Sequence, residues 1–300
     1  MSRVPLPLPW TLATLLPPRT AYAPRTRPDA LGWVAIGPHA PDTVTGLTLG
    51  FAGALPVVAH AAVAEPASRR LLEAGGLRLP DDLRTYETEA EAQALARALA
   101  AEGWKIASTY PLPADWVERE ALLLDPALVA RLNDKARLAE WVPPELLPER
   151  TLLALDALGR LEEIYRGEPV ALKVATGQAN GAAGDVALCR TPEERRPALE
   201  RFQARGLPFH GLVVERLEDF ETIWCSGFGL LADGVLWLGA TRHRRGPDGL
   251  QVGSLLDGGA ALPAGTVEAL LGIAEGWRRA GYRGVGALDL GRTADGPPLV

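Results

Sequence analysis

The stretch Val170-Ala171-Leu172-Lys173-Val174-Ala175-Thr176-Gly177-Gln178-Ala179-Asn180-Gly181-Ala182-Ala183-Gly184-Asp185-Val186-Ala187-Leu188-Cys189 decides how the chain is read. Two apolar runs flank a loop with glycines at 177, 181 and 184, which predicts a strand, a glycine-rich hairpin and a second strand. Thr191-Pro192-Glu193-Glu194 then opens a helix, with cap, first-turn proline and capping-box glutamate in place. The loop is no P-loop, because no Gly-Lys-Ser/Thr follows. It is no dinucleotide fingerprint either, because the spacing is wrong and a strand rather than a helix comes next. Glycines allow close backbone approach and positive φ, so successive N–H groups can converge on phosphate oxygens. Taken alone, a mobile turn explains the loop as well.

Lys173, just upstream, sharpens the reading. The chain has 31 lysines and arginines, and only Lys105, Lys135 and Lys173 are lysine. Where arginine is the default, a compact ammonium suits point contact with a phosphate oxygen. Lys173 sits inside an apolar strand, where an unpaired buried ammonium is costly and an anionic ligand would relieve it. The alternative is a side chain that snorkels from an exposed face.

Outward from this centre, Gly211–Glu215, Glu221–Ser226, Gly234–Thr241 and Val285–Leu290 read as strands, with a helix over Ala264–Ala280 ended by Gly281. Toward the N-terminus a helix is expected from about Thr151 to Tyr165, and two short helices over Leu123–Trp141. Thr88 and Glu91 make a capping box for a helix that Gly103 stops. Trp33–Gly37, Leu55–Ala59 and Trp104–Ala107 are strands of an α/β unit. The division expected is a Pro/Arg-rich extended arm over 1–30, an α/β domain over 31–125, a unit carrying the glycine loop over 126–210, and a strand-rich unit over 211–300.

Composition narrows the function classes. A net charge of −6 and a pI near 5.4 disfavour general nucleic-acid binding. Cys189 and Cys225 are isolated and read as small buried apolar residues. The four histidines have no metal-ligand spacing. Arg3 precedes an apolar stretch that ends near Ala21-Tyr22-Ala23, but Pro5, Pro7 and Pro9 break the helix a secretory leader needs. No run of about 18 apolar residues suggests a membrane span. A cytoplasmic protein with no membrane partner is expected.

Residues 125–300 resemble the ATP-grasp ligases. Asn133-Asp134-Lys135 looks like the segment that opens their nucleotide-binding part, and Val170–Lys173 with the glycine loop looks like their second lysine and lid. Val213-Val214-Glu215-Arg216-Leu217 is similar to the hinge strand whose backbone reads adenine, Glu221 lies where a carboxylate takes the ribose, and Gly284–Asp289 resembles the strand that supplies the first Mg²⁺ carboxylate, Asp289. The preceding segment resembles the pre-ATP-grasp domain of peptide-forming members. The resemblance implies an α/β (α+β) architecture: an N-terminal α/β pre-ATP-grasp domain, then a two-subdomain ATP-grasp fold. It implies ATP and Mg²⁺ as cofactors, small-molecule carboxylate and amine substrates, and leaves room for a homodimer. The nucleotide set is Lys135, Lys173, Gly177, Gly181, Gly184, Glu215, Leu217 and Glu221. Ala287 stands where some ligases carry an acyl-phosphate arginine, and Arg242 and Arg244 are the expected substitutes. A family Glu-x-Asn is expected after the Ala294-Asp295-Gly296 turn and does not occur up to Val300. The expectation is therefore either a sequence that stops short or a weak metal site, with a nucleotide-binding regulatory subunit as the alternative to a ligase. Glu218 and Asp219 read as an exposed turn, Trp224 and Trp237 as core, and His210 as a structural histidine.

Overall fold

The computed structural model describes residues 10–34, 40–181, 184–247, 251–256 and 262–300. Its first unit contains helix α1 (Leu12–Leu15) and strand β1 (Thr20–Tyr22), then a two-residue strand β2 (Trp33–Val34) and helix α2 (Ala40–Thr43). Strand β3 (Val57–His60), helix α3 (Pro66–Ala74), strand β4 (Leu83–Tyr86), helix α4 (Glu89–Ala101) and strand β5 (Lys105–Ala107) follow. Four of these strands form a parallel sheet in the order β4-β3-β1-β5. Helix α4 begins where the sequence predicts. Thr88 Oγ1 accepts from the Glu91 N–H, and the Glu91 carboxylate accepts from Thr88 N–H. Ala92, Ala96 and Leu99 form its buried stripe against Val58 and Ile106, and Gly103 turns the chain at a φ of 84°.

The predicted arm over 1–30 is corrected in its described part. Thr20–Tyr22 is a central strand paired on both sides, and Leu12, Leu15, Ala21 and Tyr22 are buried. Three residues in a proline-flanked stretch are too few to show a periodicity. Their burial comes from strands that lie 35 and more residues away in sequence, as in the pairing of Tyr22 with Val57. Trp33-Val34 is corrected as well. It does not join the N-terminal sheet, and residues 35–37 of that predicted strand lie outside the described residues, as do 1–9 of the arm.

The second unit starts with helix α5 (Pro126–Asn133) and a short 3₁₀ stretch, Lys135–Glu140. Strand β6 (Arg150–Ala154), helix α6 (Leu161–Tyr165), strand β7 (Val170–Ala175), the short strand β8 (Asn180–Gly181), strand β9 (Val186–Cys189), helix α7 (Arg195–Ala204) and strand β10 (Gly211–Arg216) complete it. The predicted helix from Thr151 is thus a strand for its first four residues, drawn into the sheet by pairing with β10. The middle sheet is antiparallel, in the order β6-β10-β7-β9. The quoted hairpin forms as β7 and β9, with Lys173 opposite Val186. One face of this sheet carries Leu153, Leu172, Val174, Leu212 and Val214, which pack on Tyr165, Ala198, Phe202 and Trp33.

The third unit comprises strands β11 (Thr222–Leu230), β12 (Val235–Arg245) and β13 (Gln251–Leu255), helix α8 (Thr266–Arg279), and strands β14 (Gly284–Arg292) and β15 (Pro298–Leu299). Its antiparallel sheet runs β13-β12-β11-β14-β15. Leu270, Ile273, Ala274 and Trp277 recur at helical spacing on α8 and bury against Trp224, Phe228, Leu288 and Leu290. On the opposite face Val285, Ala287 and Asp289 are exposed. Leu132, Leu138, Trp141 and Val142 join this core, so the segment after α5 is anchored on the third unit while it passes the second. Among the described residues no helix is long and apolar enough to cross a membrane.

Replacing Thr88 by Ala removes one capping acceptor and should cost about 1 kcal/mol in denaturant unfolding, with Thr88→Ser close to the parent. An unchanged midpoint in Thr88→Ala would show that packing alone sets the start of α4.

Candidate functional site

Strand alternation sorts the side chains of the middle sheet. With Leu172, Val174, Leu212 and Val214 facing the core, Lys173, Val213 and Glu215 face the other way, and Arg150 lies directly across from Glu215. The Lys173 ammonium pairs with Glu215, whose carboxylate is only 5% exposed. Arg150 approaches the same carboxylate at 3.6 Å and donates to the Lys135 carbonyl at 2.6 Å. Lys135 itself pairs with buried Asp185 at the end of the hairpin. Asp134 caps the Lys135 turn through Ala136 N–H and meets His210 at 2.9 Å. The structure therefore links the Lys135 turn to the Lys173–Glu215 pair through Arg150, while the Lys135 ammonium itself is held by Asp185. It also corrects the reason given for Lys173: its charge is met by Glu215, so burial alone does not call for an anionic ligand. Asp185, Arg150 and the His210–Asp134 pair were not picked out by the sequence. Cross-strand register, which no local pattern encodes, is what joins them.

Other expected residues are placed differently. Glu215 is a buried ion-pair partner. The Leu217 N–H, expected to be offered to adenine, already donates to the Pro169 carbonyl at 3.0 Å. Glu221 lies at the far end of the 217–221 connection, exposed, with its carboxylate 3.8 Å from Arg292. The described glycines of the loop already have neighbours of their own. Gly177 packs on Ala130, where a side-chain Cβ would come within 3.0 Å of the Ala130 Cβ. Gly181 pairs with Val34, and the Gly184 N–H donates back to the Gly181 carbonyl. Ala182 and Ala183 lie outside the described residues.

In the C-terminal sheet, Cys225 on β11 is the register partner of both Thr241 on β12 and Asp289 on β14. These residues occupy the face opposite α8, and His243 joins them two residues on, with Nε2 3.5 Å from Asp289 Oδ1. Arg242 and Arg244 alternate to the opposite side, that of Trp224 and Leu290. They do not share a face with Asp289, so the expected acyl-phosphate arginines are corrected; the two-residue period of the strand excludes them. The loop that follows them in the sequence lies, over 248–250, outside the described residues. Cys225 and His243, ordinary in the sequence, flank the Asp289 carboxylate. Burial, reinforced by the Asp289 carboxylate, pushes the Cys225 thiol up to about 11. Burial, with Glu194 beside it, does the same to Cys189.

A cavity of about 360 Å³ opens where β1 and β5 end, lined by Tyr22, Ser108, Tyr110, Leu123, Tyr282 and Val285. It lies at the point where strand order reverses, a common place for ligands. Val285 stands four residues before Asp289 on β14, roughly 13 Å of strand, so the cavity does not reach that carboxylate.

Residues 11–130 match the family model described as the L-aspartate–L-methionine ligase N-terminal domain. Among solved structures, the chain is similar to the biotin carboxylase domain dimer of the Hydrogenobacter thermophilus 2-oxoglutarate carboxylase, crystallised with MgADP, ADP and bicarbonate (15% identity, 93% of this chain and 62% of that one, TM-score 0.60). It is also similar to the L-amino acid ligase of Bacillus licheniformis (15% identity, 93% and 66% covered, TM-score 0.52). A third is the ADP-bound N5-carboxyaminoimidazole synthetase of Staphylococcus aureus (9% identity, 82% and 62% covered, TM-score 0.52). The chain spans less than two thirds of the length of each of these three. These likenesses identify its fold as the ATP-grasp fold preceded by an N-terminal α/β domain.

Two expectations follow from this geometry. Both thiols keep their protons to about pH 11, against an ordinary value near 9. Native protein at pH 8 should therefore react with thiol reagents at least about tenfold slower than unfolded protein, since only the thiolate attacks. A raised folded value also means that this stability is complete below pH 9 and is lost as pH climbs toward 11. Rapid labelling of both cysteines in the native state at pH 8 would contradict the burial. Separately, Glu215→Ala leaves Lys173 and Arg150 facing each other and should lower stability by about 3 kcal/mol, the lower end for breaking a buried pair because Lys173 is partly solvated. Chemical denaturation reads it directly.

Proposed function

We propose that this chain is the nucleotide-binding part of an ATP-dependent carboxylate–amine ligase that joins two small molecules through an acyl-phosphate. The observation that supports the reading is that Arg150 joins the Lys135 turn to the Lys173–Glu215 pair, in a sheet linked by residues 217–221 to a second sheet that displays Asp289. In this reading the two ammonium groups exchange Asp185 and Glu215 for phosphate oxygens when ATP enters. The carboxylates then hold the lysines in place while the site is empty. Charge-assisted contacts of that kind favour the spread negative charge of phosphoryl transfer. A substrate carboxylate oxygen attacks the γ-phosphorus and ADP leaves. The amine nitrogen then attacks the acyl carbon, releasing inorganic phosphate and a proton and leaving an amide. The hairpin that carries Gly177, Gly181 and Gly184 would cover the intermediate from water.

Asp289 fits Mg²⁺ as a single hard, solvent-facing oxygen donor of the kind that supplements phosphate ligands. Bound there, Mg²⁺ would neutralise charge between the phosphates. Relatives crystallised with ADP or MgADP support ATP and Mg²⁺ as cofactors. The match of the N-terminal domain to an amino-acid ligase model supports amino acids as the acid and the amine. A cytoplasmic homodimer completes the reading, the biotin carboxylase relative being described as a dimer. A second reading, a regulatory subunit that binds nucleotide without turnover, is favoured by one observation: among the described residues, the immediate neighbours of Asp289 are a thiol and an imidazole rather than another carboxylate.

Phosphate release from ATP, screened against pooled amino acids and small carboxylates, separates the two. Substrate-dependent release identifies the ligase, and ATP binding without release identifies the regulatory subunit. In calorimetry Lys135→Ala and Lys173→Ala should each weaken ATP by about ten- to a hundredfold, from roughly 1.5–3 kcal/mol per charge-assisted contact. Lys105→Ala, whose ammonium donates to the Glu120 carbonyl in the N-terminal unit, should leave affinity unchanged. Equal affinities across all three variants, with melting temperatures intact, would remove the lysines from the site.

A further inference from the structure

On the face of the C-terminal sheet opposite α8 three side chains of different chemistry meet. Cys225 lies directly across from Asp289, and His243 reaches the same carboxylate from β12. One ligand atom from each of the three lies within 4.8 Å of the other two. The 3.5 Å between His243 Nε2 and Asp289 Oδ1 is long for a hydrogen bond. It is close to the separation of about 3.3 Å between two ligands that each sit about 2.0–2.1 Å from one tetrahedral ion. The imidazole is 8% exposed and firmly seated, whereas the carboxylate is 66% exposed and leaves one side open to water. A sulfur, an imidazole nitrogen and one carboxylate oxygen are not the oxygen set that Mg²⁺ selects. They are the borderline-soft set that zinc and its neighbours take.

We infer that Cys225, His243 and Asp289 form a site for one thiophilic divalent cation of the zinc class, with water as the fourth ligand. On binding, the thiol proton passes to solvent and the thiolate sulfur, the neutral imidazole and the carboxylate each donate one electron pair. Nothing is oxidised or reduced. The site shares Asp289 with the Mg²⁺ position, so a bound zinc-class ion withdraws that carboxylate from Mg²⁺ and opposes nucleotide binding. This last consequence rests on the proposed nucleotide function, whereas the site itself does not.

The test uses the full chain, stripped with a chelator and titrated with Co²⁺ in the absence of nucleotide. A thiolate-to-cobalt charge-transfer band should rise in the near ultraviolet, saturate at one Co²⁺ per chain, bleach with Zn²⁺ and persist in a large excess of Mg²⁺. Cys225→Ser should abolish the band, and His243→Ala should weaken Co²⁺ at least about tenfold. Cys189→Ser, in the core of the middle sheet, should keep it. Absence of the band in the parent overturns the site, as does its survival in Cys225→Ser. If Cys225→Ser lowers the melting temperature, His243→Ala decides, and unchanged Co²⁺ affinity in that variant overturns the site. In a second arm, Zn²⁺ should reduce MgATP affinity in the parent and not in Cys225→Ser. Equal affinity with and without Zn²⁺ overturns the shared role of Asp289. Failure of ATP to bind at all sinks the nucleotide function, and the cobalt band still reports on the metal site.

Discussion

A carboxylate in the middle of a paired strand, almost wholly removed from water, has to be answered by positive charge, and Glu215 is answered from two directions. Lys173 comes from the neighbouring strand β7, and Arg150 from β6 on the other side. The same arginine then binds the backbone at Lys135. One buried negative charge thus fixes three strands in register and sets the turn that carries the second lysine. Asp185 does the corresponding work for Lys135 from the hairpin. Burying such pairs returns little net stability compared with apolar packing. What the arrangement provides is placement: each of the two flexible ammonium groups is held against a buried carboxylate.

The C-terminal sheet obeys a second constraint, the two-residue period of a strand. Helix α8 packs Leu270, Ile273, Ala274 and Trp277 on one face, so residues in phase with Trp224 and Leu290 point to that side. Chemistry has to come from residues in the other phase. That rule admits Asp289, Cys225 and His243 and excludes Arg242 and Arg244, although all five lie on three adjacent strands. The face that remains combines a hard oxygen with softer sulfur and nitrogen donors.

Local patterns were legible in the sequence, and long-range pairings were not. The capping box at Thr88, the left-handed turn at Gly103, the β7–β9 hairpin and the apolar stripe of α8 are written in residues a few positions apart, and each formed where it was expected. The central strand Thr20–Tyr22 is too short to announce itself, and its partners begin 35 residues away. The strand at Thr151 looked helical because its pairing partner, β10, lies some 60 residues downstream. In the site, the scarcity of lysine singled out Lys135 and Lys173. Their carboxylate partners depend on register and could not be seen. The same limit hid Cys225 and His243, ordinary residues until β11, β12 and β14 are laid side by side.

The short parallel pairing between β2 and β8 ties two regions separated by about 145 positions. Trp33 donates its N–H to the Ala179 carbonyl at 2.7 Å, and its ring is wedged edge-on against Phe202 and Phe209 in the core of the middle sheet. The N-terminal α/β domain therefore holds one side of the glycine hairpin by a backbone strap with an aromatic anchor. The hairpin cannot swing outward alone: displacement beyond Gln178 either breaks the strap or drags residues 31–34 along.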